Sequence, residues 1–220
     1  FNVLTIPREG QVIPFRDNDK PELGQLKLTD GFGKTNTVEK ILENTDTDGF
    51  IVLQDNNVLF ERYYGDMTRL DHHIWFSATK SLVSTAIGIL VEEGKIDLSE
   101  SPAKYLPELK GSGFERTTIQ NVLDHSTAID FKENYTDTNS DFLKYYAPAL
   151  NMAYIPGGRD TQPESTDIYG IHDFLAKFIK EDKKLKPGEE FDYNSANADV
   201  AGWLVARVSG MPLNDFIQQN

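Results

Sequence analysis

Ser77 and Lys80, in the stretch "WFSATKSLVS", stand three positions apart on the threshold of an apolar run that carries little other charge. If a helix begins near Ser77, the two side chains lie one turn apart on the same face, with Cβ atoms about 5 to 6 Å apart. An amino group becomes a base only when its pKa falls from about 10.4, and an apolar helix and the positive end of a helix both push that way. A neutral lysine could then take the serine proton and leave an alkoxide to attack a carbonyl. The same spacing arises by chance in many proteins, where the lysine is an ordinary surface residue. The pair names a chemistry without establishing it.

Those side chains need a scaffold. From Ser77 to Glu93, Leu82, Val83, Ala86, Ile87, Ile89, Leu90 and Val91 cover most of a helix circumference, which predicts a helix buried in the core and ended by Gly94. Ahead of it, "GFIVLQDNNVLFERYYG" puts two β-rich runs either side of Asp55, Asn56 and Asn57, the pattern of a hairpin with a tight turn. "TVEKILEN" predicts a short helix capped by Thr37, and residues 1–37, rich in Pro, Gly, Asp, Lys and Thr, read as an arm across the surface. From about 100 to 190, the segments "SPAKYLPEL", "TTIQNVLDHS", "SDFLKYYAPAL" and "GIHDFLAKFIKEDKKL" predict helices separated by breakers, with the loop "IPGGRDTQPESTD" before the last. After "KPGEEFDYNS" comes an amphipathic helix, roughly 196–208, closed by Gly210. Two strands make only a hairpin, whereas a sheet that buries the helix after Ser77 needs three or more.

The stretch "LKPGEEFDYNSANADVAGWLVARVSG", residues 185–210, resembles the tyrosine motif of the serine β-lactamase and penicillin-recognising superfamily, in its class C and esterase branch. Against that branch, "FSATKS" is similar to the opening of the nucleophile helix and "GKIDLSESPAKYLPEL" to the segment that follows it. The resemblance runs from about residue 50 to residue 220. It implies an α+β fold: an antiparallel sheet flanked by helices, with a mostly helical inserted domain. Residues 1–100 would begin the α/β domain, 101–190 form the helical domain, and 191–220 return to the α/β domain. It also implies Ser77 as nucleophile, Lys80 as its proton-accepting neighbour and Tyr193 as third member of the site. A phenol has a pKa of about 10, and a nearby ammonium favours its ionised form, so Tyr193 would relay protons to the leaving group and from the deacylating water.

The departures from the family pattern carry information. Where β-lactamases have asparagine two positions after the tyrosine, this chain has Ser195, which looks more like the 6-aminohexanoate-dimer hydrolase branch and its esterase relatives. Losing that amide disfavours penicillin hydrolysis and favours amide or ester cleavage of small substrates. "LDHSTAIDFKENYTD", residues 123–137, resembles the segment where the family usually has Ser-Gly, but Ala128 replaces the glycine, which argues for a locally different turn. Tyr135 lies where that branch uses a tyrosine to touch substrate, so Tyr135 and Ser195 are the candidate binding residues. The family's later K-T-G or H-x-G strand has no counterpart before Asn220. The chain is therefore expected to be the N-terminal part of a larger unit, partnered by a C-terminal half from the same gene product or a second chain. Alternatives within the family are a penicillin-binding or D-amino-acid carboxypeptidase-like protein and a non-catalytic binding scaffold.

Other classes fare worse. Asp and Glu outnumber Lys and Arg by 35 to 22, a net charge of -13, so nucleic acid would be repelled rather than attracted. With no cysteine there are no disulfides, thiolate metal sites or cysteine nucleophiles. No stretch approaches the roughly 20 apolar residues of a membrane span. "DGFGKT", residues 30–35, lacks the first glycine of a phosphate loop, Leu28 standing in its place. His72 and His73 beside Asp71 diverge and lack a spaced partner, so they read as polar residues capping a turn rather than metal ligands. His125 and His172 fall in predicted helical segments and read as structural histidines. No metal or cofactor is expected. The start "FNVLTIPREG" is neither an initiator methionine nor a signal peptide and is expected to be a processed or trimmed end, which leaves localisation open.

Overall fold

A computed structural model of the chain describes residues 5–7, 10–150, 152 and 168–220. Two compact units emerge, Arg8–Ile74 and Trp75–Asn220, the latter with Phe1–Pro7. The predicted loop of residues 155–167 lies outside the described residues.

In the Arg8–Ile74 unit, β4 (Gly49–Gln54) and β5 (Asn57–Tyr63) form the expected antiparallel hairpin. Asp55 and Asn56 both take positive φ, 49° and 62°, as a two-residue type I′ turn requires. Asn57 is already the first residue of β5. The third strand comes from the supposed arm: β1 (Arg16–Asp17) pairs parallel with β5, so the sheet order is β1-β5-β4 and the sheet is mixed, not purely antiparallel. Two residues are too few to show a period of two, which is why the sequence hides this strand. A separate ribbon of β2 (Lys27–Thr29) and β3 (Thr35–Thr37) encloses the "DGFGKT" stretch as a turn, in which Asp30 Oδ1 accepts the N–H groups of Phe32 and Lys34, each at 2.9 Å. Thr37 caps α1 (Val38–Asn44) by accepting from the Lys40 N–H at 3.2 Å. Leu42, Val58, Leu59 and Phe60 are buried here.

The Trp75–Asn220 unit is helical. A tight 3-10 turn, Phe76–Thr79, leads into α2 (Lys80–Glu92), and Gly94 leaves it at φ 70°. Short helices follow: α3 (Pro102–Tyr105), α4 (Ile119–Leu123), α5 (Ala147–Ala149) and α6 (Ile171–Asp173). Thr118 and Asn121 close a capping box on α4. Two wider turns, Phe142–Tyr146 and Phe174–Phe178, bond i to i+5, as in the Ala147 N–H to the Phe142 carbonyl. The helices expected between about 100 and 190 are shorter than their sequence segments, because breakers and these wide turns interrupt them. Then α7 (Ser195–Ser209) ends at Gly210, φ 75°, and α8 (Leu213–Gln219) follows.

Helix α7 is the hub of this unit, packing on α2, α3, α4 and α8. Val200, Leu204 and Val205 meet Ile87, Leu90, Leu106 and Ile119 in one core that continues through Phe114, Phe131 and Phe174. Residues 101–190 and 191–220 thus share one compact unit with α2. α2 is not buried all round: Ala86, Ile87 and Leu90 are covered, whereas Leu82 is 37% exposed. At Gly113 the chain passes so close to the 180s that an added Cβ would sit 2.5 Å from the Lys180 carbonyl oxygen.

Candidate active site

Ser77 sits in the turn that opens α2, and Lys80 is the first residue of that helix. Phe76, directly before Ser77, is held at φ 42°. For a bulky residue that conformation is rare and costs about 1 to 2 kcal/mol, so the turn aims Ser77 at the expense of backbone strain. Three positions along a tight helical turn bring Lys80 Nζ to within 2.8 Å of Ser77 Oγ.

The third group arrives from the other end of the unit. Asn194 is the N-cap of α7: its Oδ1 accepts from the Ala196 N–H at 3.0 Å, and its Nδ2 donates to the Phe131 carbonyl at 2.7 Å. That anchored cap throws Tyr193 outward, and the Tyr193 hydroxyl donates to Ser77 Oγ at 2.7 Å. Lys80 Nζ also stands 5.3 Å from the Tyr193 ring centroid. Burial would raise the Tyr193 phenol, but its hydrogen bonds with Lys80 and Ser77 and the Lys80 charge prevail and hold it below the usual tyrosine value. Ser77 Oγ is therefore the meeting point of an amine and an acidified phenol.

The segment after α4 braces this corner. His125, just past the helix rather than inside it, takes φ 52°, and its ring lies flat on Tyr193, centroids 4.9 Å apart and planes within 3°. Thr127 Oγ1 donates to Asn197 Oδ1 at 3.0 Å. Ala128 adopts φ 54°, in the left-handed region that favours glycine. Glu133 receives the Ser195 N–H on one carboxylate oxygen and the Tyr135 hydroxyl on the other.

A cleft of about 710 Å³ opens beside Ser77. Ser77, Lys80, Tyr135 and Ser195 all line it, so the structure gathers the predicted residues around one space, with Tyr193 bonded to Ser77. The far walls are largely apolar: Val83, Phe142, Leu150, Ile171, Trp203 and Leu213. One face of α7, with Ser195, Asp199, Gly202, Trp203 and Ala206, runs along the cleft at helical spacing.

Sequence reasoning missed Asp199, Tyr146 and Glu133. The Tyr146 hydroxyl donates to Asp199 Oδ2 at 2.6 Å. Burial pushes the Asp199 carboxyl up to about 6, against the Tyr146 bond and the Lys80 charge, and the Tyr146 phenol is driven upward by burial and by Asp199. Asp199 follows Ser195 by four, a spacing that could have placed it on the cleft face. Nothing local marks Tyr146, whose partner is 53 residues away. His172 stacks on Trp203 at 3.9 Å and lines the cleft. Asp71 accepts from Thr68, and His73 Nε2 meets Asp48 at 2.9 Å; among the described residues no three His, Asp or Glu side chains cluster as metal ligands. Nor is any described helix long and apolar enough to cross a membrane.

Comparison with known proteins gives the site a context. A Beta-lactamase family profile matches residues 35–220. The 6-aminohexanoate-dimer hydrolase of Paenarthrobacter ureafaciens is 33% identical over 215 residues, covering 96% of this chain and 52% of that protein. Monacolin J acid methylbutanoyltransferase of Aspergillus terreus is 30% identical over 148 residues, 66% of this chain and 34% of its own length. A solved structure from Bacillus anthracis, provisionally assigned as a 6-aminohexanoate-dimer hydrolase, superposes with a TM-score of 0.71 at 22% identity over 93% of this chain and 50% of that one. The chain spans about half the length, or less, of these relatives.

Proposed function

Because this chain belongs to the Beta-lactamase family, we propose that the protein carrying it is a serine hydrolase that cleaves amide or ester bonds of small substrates through an acyl-enzyme on Ser77. The observation that carries this reading is the convergence of Lys80 Nζ and Tyr193 OH on Ser77 Oγ, at 2.8 and 2.7 Å. Ser77 Oγ attacks the substrate carbonyl carbon while its proton passes to the Lys80–Tyr193 pair, one member of which has first lost its own proton to solvent. The resulting tetrahedral oxyanion collapses, the bond to the leaving nitrogen or oxygen breaks, and the same pair returns the proton to that atom. Water then repeats the sequence on the acyl-enzyme: its proton goes to the pair, its oxygen takes the acyl group, and Ser77 recovers its own hydrogen. The lowered Tyr193 phenol supports this shuttle, since a group nearer neutrality gives and takes protons more evenly.

The cleft supports the substrate class. Its apolar walls suit an extended, mostly hydrocarbon acyl or amine portion, and the first of the relatives above is named for hydrolysis of a 6-aminohexanoate dimer. Ser195, in place of an asparagine, offers only a hydroxyl at the mouth of α7, which fits linear amides and esters better than a β-lactam side chain.

Intact-protein mass spectrometry tests this, with a serine-reactive phosphonate on the native protein and on Ser77→Ala. One adduct in the native protein and none in the variant is expected, together with multiple turnovers of a small nitrophenyl ester. A native protein that takes up no adduct rules out an activated Ser77; an adduct without turnover favours a binding scaffold of the same fold.

A further inference from the structure

The sequence reads His125 as a structural histidine, yet the structure sets it around Tyr193 at three points. Its carbonyl accepts the Asp192 N–H at 2.7 Å, its Nδ1 accepts the Asn194 N–H at 3.0 Å, and its ring lies flat on the Tyr193 ring between them. We propose that His125 is a positioning residue for the Ser77 reaction, holding the Tyr193 hydroxyl on Ser77 through this grip, and that it does so only as the neutral imidazole. The proposal rests on the reading of Ser77, Lys80 and Tyr193 given above.

Neutrality follows from the bond itself. A backbone N–H can donate only to an unprotonated nitrogen, so Nδ1 is bare and the ring proton sits on Nε2. Asn197 Nδ2, 3.5 Å from the same Nδ1, is a second donor facing it. Protonating Nδ1 would put a third N–H against two donors, and the Asn194 N–H would lose its partner. Asn194 is the cap that fixes Tyr193 at the start of α7, so the loss is passed directly to the hydroxyl on Ser77.

The charges around the ring pull both ways. Burial and the Lys80 ammonium on α2 hold His125 below the usual histidine value, whereas Glu133 and Asp192 draw it back up. Lys132, 2.6 Å from Asp192, blunts the latter. Lys80 and His125 also line the same small cavity, of about 20 Å³. A cation on His125 would therefore face the amine of the reaction centre as well as break the grip.

The sign is fixed: Ser77 reactivity falls as pH falls through the His125 transition, which lies below about 6.5. The test is the rate of Ser77 phosphonylation from about pH 5 to about pH 8 in native protein, His125→Asn and His125→Phe. Asparagine tolerates left-handed backbone and keeps an acceptor near the place of Nδ1, but does not titrate. Phenylalanine keeps a flat ring and loses the acceptor. The part of the acid limb that follows His125 is expected to vanish in both variants, leaving only what Asp199, at about 6 in the same cleft, contributes, and His125→Phe to label about tenfold or more slowly at neutral pH. An unchanged limb in His125→Asn overturns the proposal. Since a variant could misfold, carbon NMR of the Tyr193 ring in native protein gives a second reading: its shift must follow the His125 titration midpoint, and a flat Tyr193 signal overturns the proposal too. Native protein that fails to label at any pH sinks the hydrolase reading instead, while the NMR arm still decides on the grip.

Discussion

Tyr146 and Asp199, 53 residues apart, meet through a 2.6 Å hydrogen bond inside the cleft. The phenol satisfies one carboxylate oxygen, but burial still lifts the Asp199 carboxyl from its ordinary 3.8 to about 6. The folded state thus binds the proton more tightly than the unfolded chain does. Stability from this group is fully present below about pH 4 and is lost as pH rises through 6.

Asp199→Asn removes that dependence while leaving an acceptor for Tyr146. Relative to native protein, the variant is expected to gain on the order of 2 kcal/mol between pH 4 and pH 8, from about 1.4 kcal/mol per pKa unit less some solvent screening. Denaturant melts at the two pH values measure it, and a gain that is equal at both would refute the buried-carboxylate account.

Tyr193→Phe separates the ring from its hydroxyl. Stacking on His125 survives, and so should the melting temperature, because the residue is 41% exposed. The rate of Ser77 acylation should drop about 10²- to 10⁴-fold, the usual worth of a positioned acid–base group. A stopped-flow burst with an ester substrate would show it, and a drop below about threefold would remove Tyr193 from the proton path.

Ala128 and Gly113 make opposite predictions from backbone geometry. Ala128→Gly relieves a left-handed alanine, and should stabilise by about 0.5 to 1 kcal/mol after the extra freedom of glycine in the unfolded chain is subtracted.

Gly113→Ala forces a methyl group to within 2.5 Å of the Lys180 carbonyl oxygen, where backbone cannot give way as a side chain does. A loss of about 2 kcal/mol or more is expected in urea melts. A neutral result would mean that the 113 and 180 strands of chain separate readily.

What the sequence discloses here tracks the range of the interaction. Ser77 and Lys80 are neighbours on one helical turn, so their spacing alone places them together, and Thr37, Gly94 and Gly210 announce helix ends through local capping chemistry. The Asp55–Asn56 turn is legible for the same reason. Tyr193 is different: it is identifiable only by the residues flanking it, since its contact with Ser77 spans 116 positions. His125 against Asn194 spans 69, and the wide turn that delivers Tyr146 has no compositional mark. The left-handed backbone at Ala128 is invisible because alanine has no preference for it.

The wide turn at Phe142–Tyr146 spends one residue more than an α-helical turn would. Each helical residue advances about 100° around the axis, so losing a single one would swing Tyr146 away from Asp199, however conservative every remaining side chain. Descent with point changes alone would leave this wall of the cleft in register. Deleting one residue from this turn is therefore expected to disturb this wall of the cleft more than any single conservative substitution within it.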